Sequence, residues 1–133
     1  PPAAPAPPDP DAPVLHDWKI TGHVLGPNAL ISELDATSFH GRTVSVSTAG
    51  YGSPWSGSCD DAHRQRRPRT LAELADQLQL HDRAGSLELA DPILEFQLTC
   101  GPHEGSRTPP LTCYVAGARA VTCWSGVCYL LAR

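Results

Sequence analysis

From Ile93 to Cys100 the chain alternates: Leu94, Phe96, Leu98 and Cys100 fall on one side, Glu95, Gln97 and Thr99 on the other. That is the period of a half-buried strand with its cysteine facing inward. Further on, 120–124 and 127–132 are apolar, β-prone runs separated by Ser125 and Gly126. This is a two-residue connection whose glycine can take the positive φ of a tight hairpin turn. With those two residues as the loop, Trp124 faces Val127, and Cys123 faces Cys128 as a non-hydrogen-bonded pair. Cβ atoms of such pairs lie roughly 4.5 to 5.5 Å apart, close to disulfide reach. The alternative is two thiols buried as small hydrophobes.

Three more stretches carry strand patterns. From Val14 to Leu25 the run places Trp18, Ile20 and, after Gly22, Val24 on one face, a first strand with a core tryptophan. Arg42 to Ala49 alternates with Val44 and Val46 inward, and Leu111 to Ala116 returns as a strand, followed by Gly117 at a bend. Two helices stand out. Ser32, with Ile31 before it and Asp35 three residues on, starts a short one that Gly41 stops. Thr70-Leu71-Ala72-Glu73 is a capping box, and Leu71, Leu74, Ala75 and Leu78 follow at helical spacing. The second helix is expected to run to about residue 81 or 82 and to lay its leucine stripe on the sheet. Leu87 and Leu89 then lead into the strand at Ile93.

Two segments lack such periodicity. Residues 1–13 hold seven prolines and nothing large to bury, which predicts a disordered, polyproline-like spacer ahead of a single domain over 14–133. Tyr51 to Arg69, rich in glycine, serine and arginine, reads as an irregular loop. It carries Tyr51, Trp55, Cys59, Asp60, Asp61, Arg64, Arg66 and Arg67, the chemistry of a binding surface. The plainer reading is a crossover pinned by a disulfide at Cys59, its arginines a solvated run into the capped helix. A second exposed loop, 101–110, adds His103, Glu104 and Arg107.

Composition changes this picture in two ways. Five cysteines without a close C-x-x-C pair fit an oxidising compartment. A net charge of −4 argues against nucleic acid as a partner. The chain has no methionine and does not open with the basic and apolar regions of a signal peptide, so it reads as the mature part of a longer precursor, or a chain cut to that length. With Cys123 opposite Cys128, Cys59 from the irregular loop pairs with the inward Cys100, leaving Cys113 buried and free. The rival pairing is Cys100 with Cys113, with Cys59 free.

Catalytic patterns are missing. Gly52-Ser53-Pro54-Trp55-Ser56-Gly57 does not match the Gly-x-Ser-x-Gly elbow. The six histidines show no i, i+4 pair, so any metal site would have to be assembled by the fold. The cysteines sit in strands or beside prolines and glycines, without an adjacent base. Asp60 and Asp61 are adjacent acids that more often stabilise a loop than perform glycoside chemistry. Neither catalytic residues, nor a metal, nor a cofactor are expected.

The order of elements, with the Trp18 strand, the Cys59 segment, the Leu94-x-Phe96-x-Leu98-x-Cys100 strand and the terminal Tyr129-Leu130-Leu131-Ala132-Arg133 run, resembles small exported bacterial lipoproteins with lipocalin-like or open β-barrel folds. Several periplasmic lysozyme inhibitors and immunity proteins are of this kind. The resemblance spans most of 14–133 and assigns no residue roles. The fold class expected is α+β: a mainly antiparallel curved sheet or small barrel with one short and one longer helix packed on it. The function implied is a non-catalytic periplasmic binding protein, an inhibitor or immunity protein that blocks a cell-wall hydrolase or secreted toxin. A membrane tether would come from a lipidated N-terminus outside this chain. A lipocalin-like carrier of a small ligand and a small hydrolase with a fold-assembled site are the alternatives.

Overall fold

The computed structural model describes residues 9–101 and 108–133. In chain order the elements are β1 (Asp17–Leu25), α1 (Glu33–Thr37), β2 (Thr43–Val46), β3 (Tyr51–Ser53), β4 (Gly57–Cys59), β5 (Ala62–Arg69), α2 (Leu71–Gln77), a 3-10 helix (His81–Leu87), β6 (Ile93–Cys100), β7 (Leu111–Ala116), β8 (Arg119–Trp124) and β9 (Val127–Ala132). All nine strands join one antiparallel sheet in the order β4-β3-β2-β1-β9-β8-β7-β6-β5. The first and last strands therefore pair in its middle, and the two edges are neighbours in the chain. The sheet curls into a nearly closed barrel with short helices beside it, an α+β fold.

The inner face holds one core of Trp18, Ile20, Val44, Val46, Phe96, Leu98, Cys113, Val115, Tyr129 and Leu131 among others. The expected faces of β2 and β6 follow from this. A second core lies outside the sheet, where Leu74 of α2, Leu80, Leu87 and Leu89 cover Ile93, Tyr114, Val121 and Cys128. Both Thr70 and Glu73 make their capping-box bonds at the start of α2, and the Thr70 backbone N–H holds the Glu73 carboxyl below its usual range. Leu74 is fully buried, which stabilises the docking of α2 by about 1.5 to 3 kcal/mol.

Three expectations need correction. The stretch 51–69 is not a loop but three strands. β5 pairs with β6 over its whole length, Arg64 opposite Leu98 and Arg67 opposite Glu95. Beyond Ala62 its inward positions are Arg64, Arg66 and Pro68, so the apolar alternation that marks a strand is missing. Val24 does not share a face with Trp18 and Ile20: the β1–β9 register shifts between Ile20 and Gly22, which turns Val24 outward onto the second core and Leu25 inward. This is the action of a β-bulge, which re-aims every side chain beyond it. And α2 ends at Gln77, because Gln79 adopts a positive φ of 57°, which stops a helix of L-residues. A 3-10 helix continues the cover.

Both disulfides form where the strand faces place them. Ser125 and Gly126 have φ of 53° and 79°, a primed turn, and set Cys123 opposite Cys128. These two are bonded, with Cα atoms 4.0 Å apart. Cys59 bonds Cys100 across the barrel seam, and Cys113 is free and buried. Burial pushes the Cys113 thiol up to about 12, against a lowering hydrogen bond with Thr122. Two formed disulfides indicate an oxidising, non-cytoplasmic environment. No helix among the described residues is long and apolar enough to cross a membrane.

Candidate functional site

One end of the barrel, where β8 turns into β9, is covered by the segment 26–42 that contains α1. Backbone bonds fix the start of this cover: the Gly26 N–H donates to the Gly126 carbonyl at 2.8 Å, and the Leu30 N–H to that of Ser125 at 2.8 Å. Gly126 must be glycine here, since a Cβ would sit 2.6 Å from the Asn28 carbonyl oxygen. Ser32 caps α1 by accepting the Asp35 N–H, and Ala36 is buried in the inner core. The far end is tied down where the Gly41 N–H donates to Ile20 at 2.8 Å and the Ile20 N–H to Arg42 at 2.9 Å.

Beneath the cover lies an aromatic cluster. Trp55, at the β3–β4 turn, stacks on Tyr129 at 4.7 Å between centroids and on Trp124 at 6.3 Å. Phe39 meets both Trp55 and Tyr129 edge-on at 5.6 Å. Burial raises the Tyr129 phenol, and its hydroxyl is buried without a hydrogen-bond partner among the described residues. On the outside of the same cover, Leu30 and Leu34 are 81% and 80% exposed, while Glu33 and Asp35 supply negative charge beside them.

Also at this mouth is a cluster that no sequence pattern signals. His23 of β1, its side chain 7% exposed, approaches Glu33 Oε2 through Nε2 at 2.9 Å. Its Nδ1 lies 2.8 Å from His40 Nε2. The three residues are 10 and 17 positions apart in the chain, so a search for helical histidine spacing passes over them.

The structure does not bring the expected binding residues together. Tyr51 is a core residue whose hydroxyl donates to the Pro109 carbonyl at 2.9 Å; burial raises its phenol. Trp55 belongs to the mouth. Asp60 and Asp61 form the exposed β4–β5 connection, and the Asp61 carbonyl accepts the Gly101 N–H at 2.6 Å. The arginines divide by strand face. Arg64 and Arg66 point inward, where both bind Asp11, at 2.9 and 3.1 Å, and Arg64 also donates to the Ser47 and Thr48 carbonyls. Arg67 points outward. His103, Glu104 and Arg107 lie outside the described residues.

The outward face of β6, the polar side of an expected half-buried strand, carries Glu95, which is nevertheless only 1% exposed. Arg67 and Arg69 each reach it at 2.6 Å, and the Gln97 side chain donates to it at 3.1 Å. Its cross-strand neighbour Tyr114 accepts from Gln77 of α2 at 3.0 Å, and burial, followed by the Glu95 charge, raises the Tyr114 phenol. A carboxylate this deep requires such pairing. The available signal was Arg67 and Arg69, two apart as on one strand face and able to flank a carboxylate.

Clefts of about 610 Å³, lined by Pro68, Arg69, Thr70, Glu73, Asp91 and Pro92, and of about 540 Å³, lined partly by Leu71, Ala75 and His81, flank α2 outside the barrel. Among the described residues no group of three His, Cys, Asp or Glu side chains gathers to hold a metal. No family model, curated protein or solved structure matches the chain.

Proposed function

We propose that this protein is a non-catalytic binding protein of an exported compartment, an inhibitor or immunity protein that seats its barrel mouth on a hydrolase or toxin. The observation that carries this reading is the pair Leu30 and Leu34, 81% and 80% exposed on a cover held by backbone hydrogen bonds. Large aliphatic side chains on a firmly held surface are what a partner buries at the centre of an interface. Charge narrows the partner. The arginines that could have met an anionic surface are engaged within the fold, Arg64 and Arg66 by Asp11 and Arg67 and Arg69 by Glu95. Glu33 and Asp35 beside the leucines favour a target with a basic rim.

A carrier would need a lumen for its ligand, whereas the inward side chains of this barrel pack on one another and the two clefts described above lie outside it. To test the reading, the immobilised protein and its Leu30→Ser, Leu34→Ser double variant are each exposed to periplasmic extract and to secretions of neighbouring bacterial species. The expected outcome is a hydrolase or toxin retained by the parent and lost by the variant, with its activity suppressed on binding. Retention that survives both substitutions would overturn this surface. Turnover of a hydrolase substrate by the protein itself would overturn the non-catalytic reading.

A further inference from the structure

The chain Glu33, His23, His40 ties both ends of the α1 segment to one buried side chain of the barrel wall. The His23 and His40 ring centroids are 5.0 Å apart while the bonded nitrogens are 2.8 Å apart, so the rings meet nitrogen to nitrogen. A metal ion shared by two imidazoles needs both lone pairs to converge beside the N···N line. Nitrogens that face each other share a proton instead. The proton count follows. With Glu33 ionised, His23 Nε2–H donates to it, and one hydrogen lies between His23 Nδ1 and His40 Nε2. A single imidazolium at either ring preserves that hydrogen. When both rings are charged, two N–H groups face one another and neither can accept.

We infer that acidification opens this clasp and loosens residues 33–40 over the barrel mouth, so that the binding surface is held in shape at neutral pH and weakened in acid. The consequence for binding rests on the function proposed above; the opening itself is a property of the isolated chain. The groups that face the clasp are Glu33 from α1, His40 from the turn after it, and Tyr129 of β9, opposite His23 in the ladder. Among the described residues no lysine or arginine pairs with Glu33 to dilute the effect. Imidazoles change charge between about pH 5 and 8, and between the backbone ties at Leu30 and Gly41 α1 is only five residues long and buries Ala36 alone.

Hydrogen exchange of the intact chain tests this at about pH 7.5 and about pH 5, each rate corrected for intrinsic exchange. The expected result is that amides of 33–40 lose protection about tenfold in acid, relative to those of the β8–β9 hairpin. His40→Gln, whose neutral amide can donate to an uncharged His23 through its NH2 and accept from a charged one through its carbonyl oxygen, should keep its protection. His16→Gln removes an unrelated imidazole set edge-on to Trp18 at 5.6 Å and should leave the acid loss intact. Unchanged protection in the parent overturns the clasp, as does an equal acid loss in His40→Gln or its disappearance in His16→Gln. If His40→Gln does not fold, ring resonances of the parent decide: His23 and His40 shifting together support the clasp, and independent titration overturns it. A captured partner that binds equally well while the segment is open would count against the proposed surface, and the clasp would stand.

Discussion

The barrel is closed in two different ways on its two sides. Across β1, β9, β8, β7 and β6 the strands follow one another in a ladder interrupted once, at the bulge between Ile20 and Gly22, each register set by its neighbour. At the seam, where the edges β4 and β5 come together, individual residues replace the ladder. Cys59 bonds Cys100, and the Ala62 N–H donates to the Ala49 carbonyl at 3.0 Å. Arg64 links Asp11 to the Ser47 and Thr48 carbonyls. Gly50 allows a backbone approach in which a Cβ would lie 1.7 Å from the Cys59 carbonyl oxygen. A ladder distributes its stability over many equivalent bonds, whereas a seam concentrates it in a few that have no substitute.

The two disulfides make this contrast measurable. Cys59 and Cys100 are 41 residues apart, and closing a loop of that length contributes about 4 kcal/mol in the chain-entropy model. Replacing both by serine should remove an amount of that order from the stability read by urea unfolding and raise amide exchange in β3, β4 and β5 before the rest of the barrel. A loss under about 1 kcal/mol would show that the other seam contacts hold the edges unaided.

The same contrast explains what could be read from the sequence. The ladder side was legible because its cause is local: alternation in Ile93 to Cys100, a two-residue turn at Ser125 and Gly126, a capping box before Leu71. The seam was not, because after Ala62 the inward positions of β5 are Arg64, Arg66 and Pro68; its pairing with β6 makes it a strand, and the charges of its two inward arginines are met by Asp11, more than 50 residues away. Glu95 was misplaced for a related reason: period two separates the faces of a strand but does not say that α2 will cover the outer one. The histidine cluster lay beyond any pattern, since only the fold brings 23, 33 and 40 together. The pairing of Cys59 with Cys100 could nevertheless be narrowed, because the inward face of β6 was already known.

On the ladder side the expected effect is smaller. Cys123 and Cys128 are 5 residues apart in sequence, a loop for which the same model gives about 2 kcal/mol. The turn and the flanking pairs Thr122–Tyr129 and Trp124–Val127 fix the register in any case. Serine at both positions should cost about half of what the seam variant costs, with exchange across β8 and β9 changed little. A cost equal to that of the seam would mean that closure by a ladder offers no redundancy, and the contrast would fail.

The smallest effect concerns Cys113, in the core of the ladder side and part of neither bridge. Its folded-state value of about 12 stands above the ordinary 9.0, so the folded state retains a proton that the unfolded chain releases. The contribution is fully present below about pH 9 and is lost as pH rises from there toward 12. For one proton the slope approaches about 1.4 kcal/mol per pH unit. The phenols of Tyr51, Tyr114 and Tyr129 are also raised above 10.0 and add to the loss from about that pH upward. The four bridged cysteines do not titrate, so the step between about pH 9 and 10 belongs to Cys113. Urea midpoints measured across that interval should fall in the parent and stay nearly level in Cys113→Ala, whatever constant cost the lost sulfur adds at every pH. Equal slopes in the two proteins would mean that Cys113 is open to solvent, and that the ladder side is less tightly closed than the contrast with the seam requires.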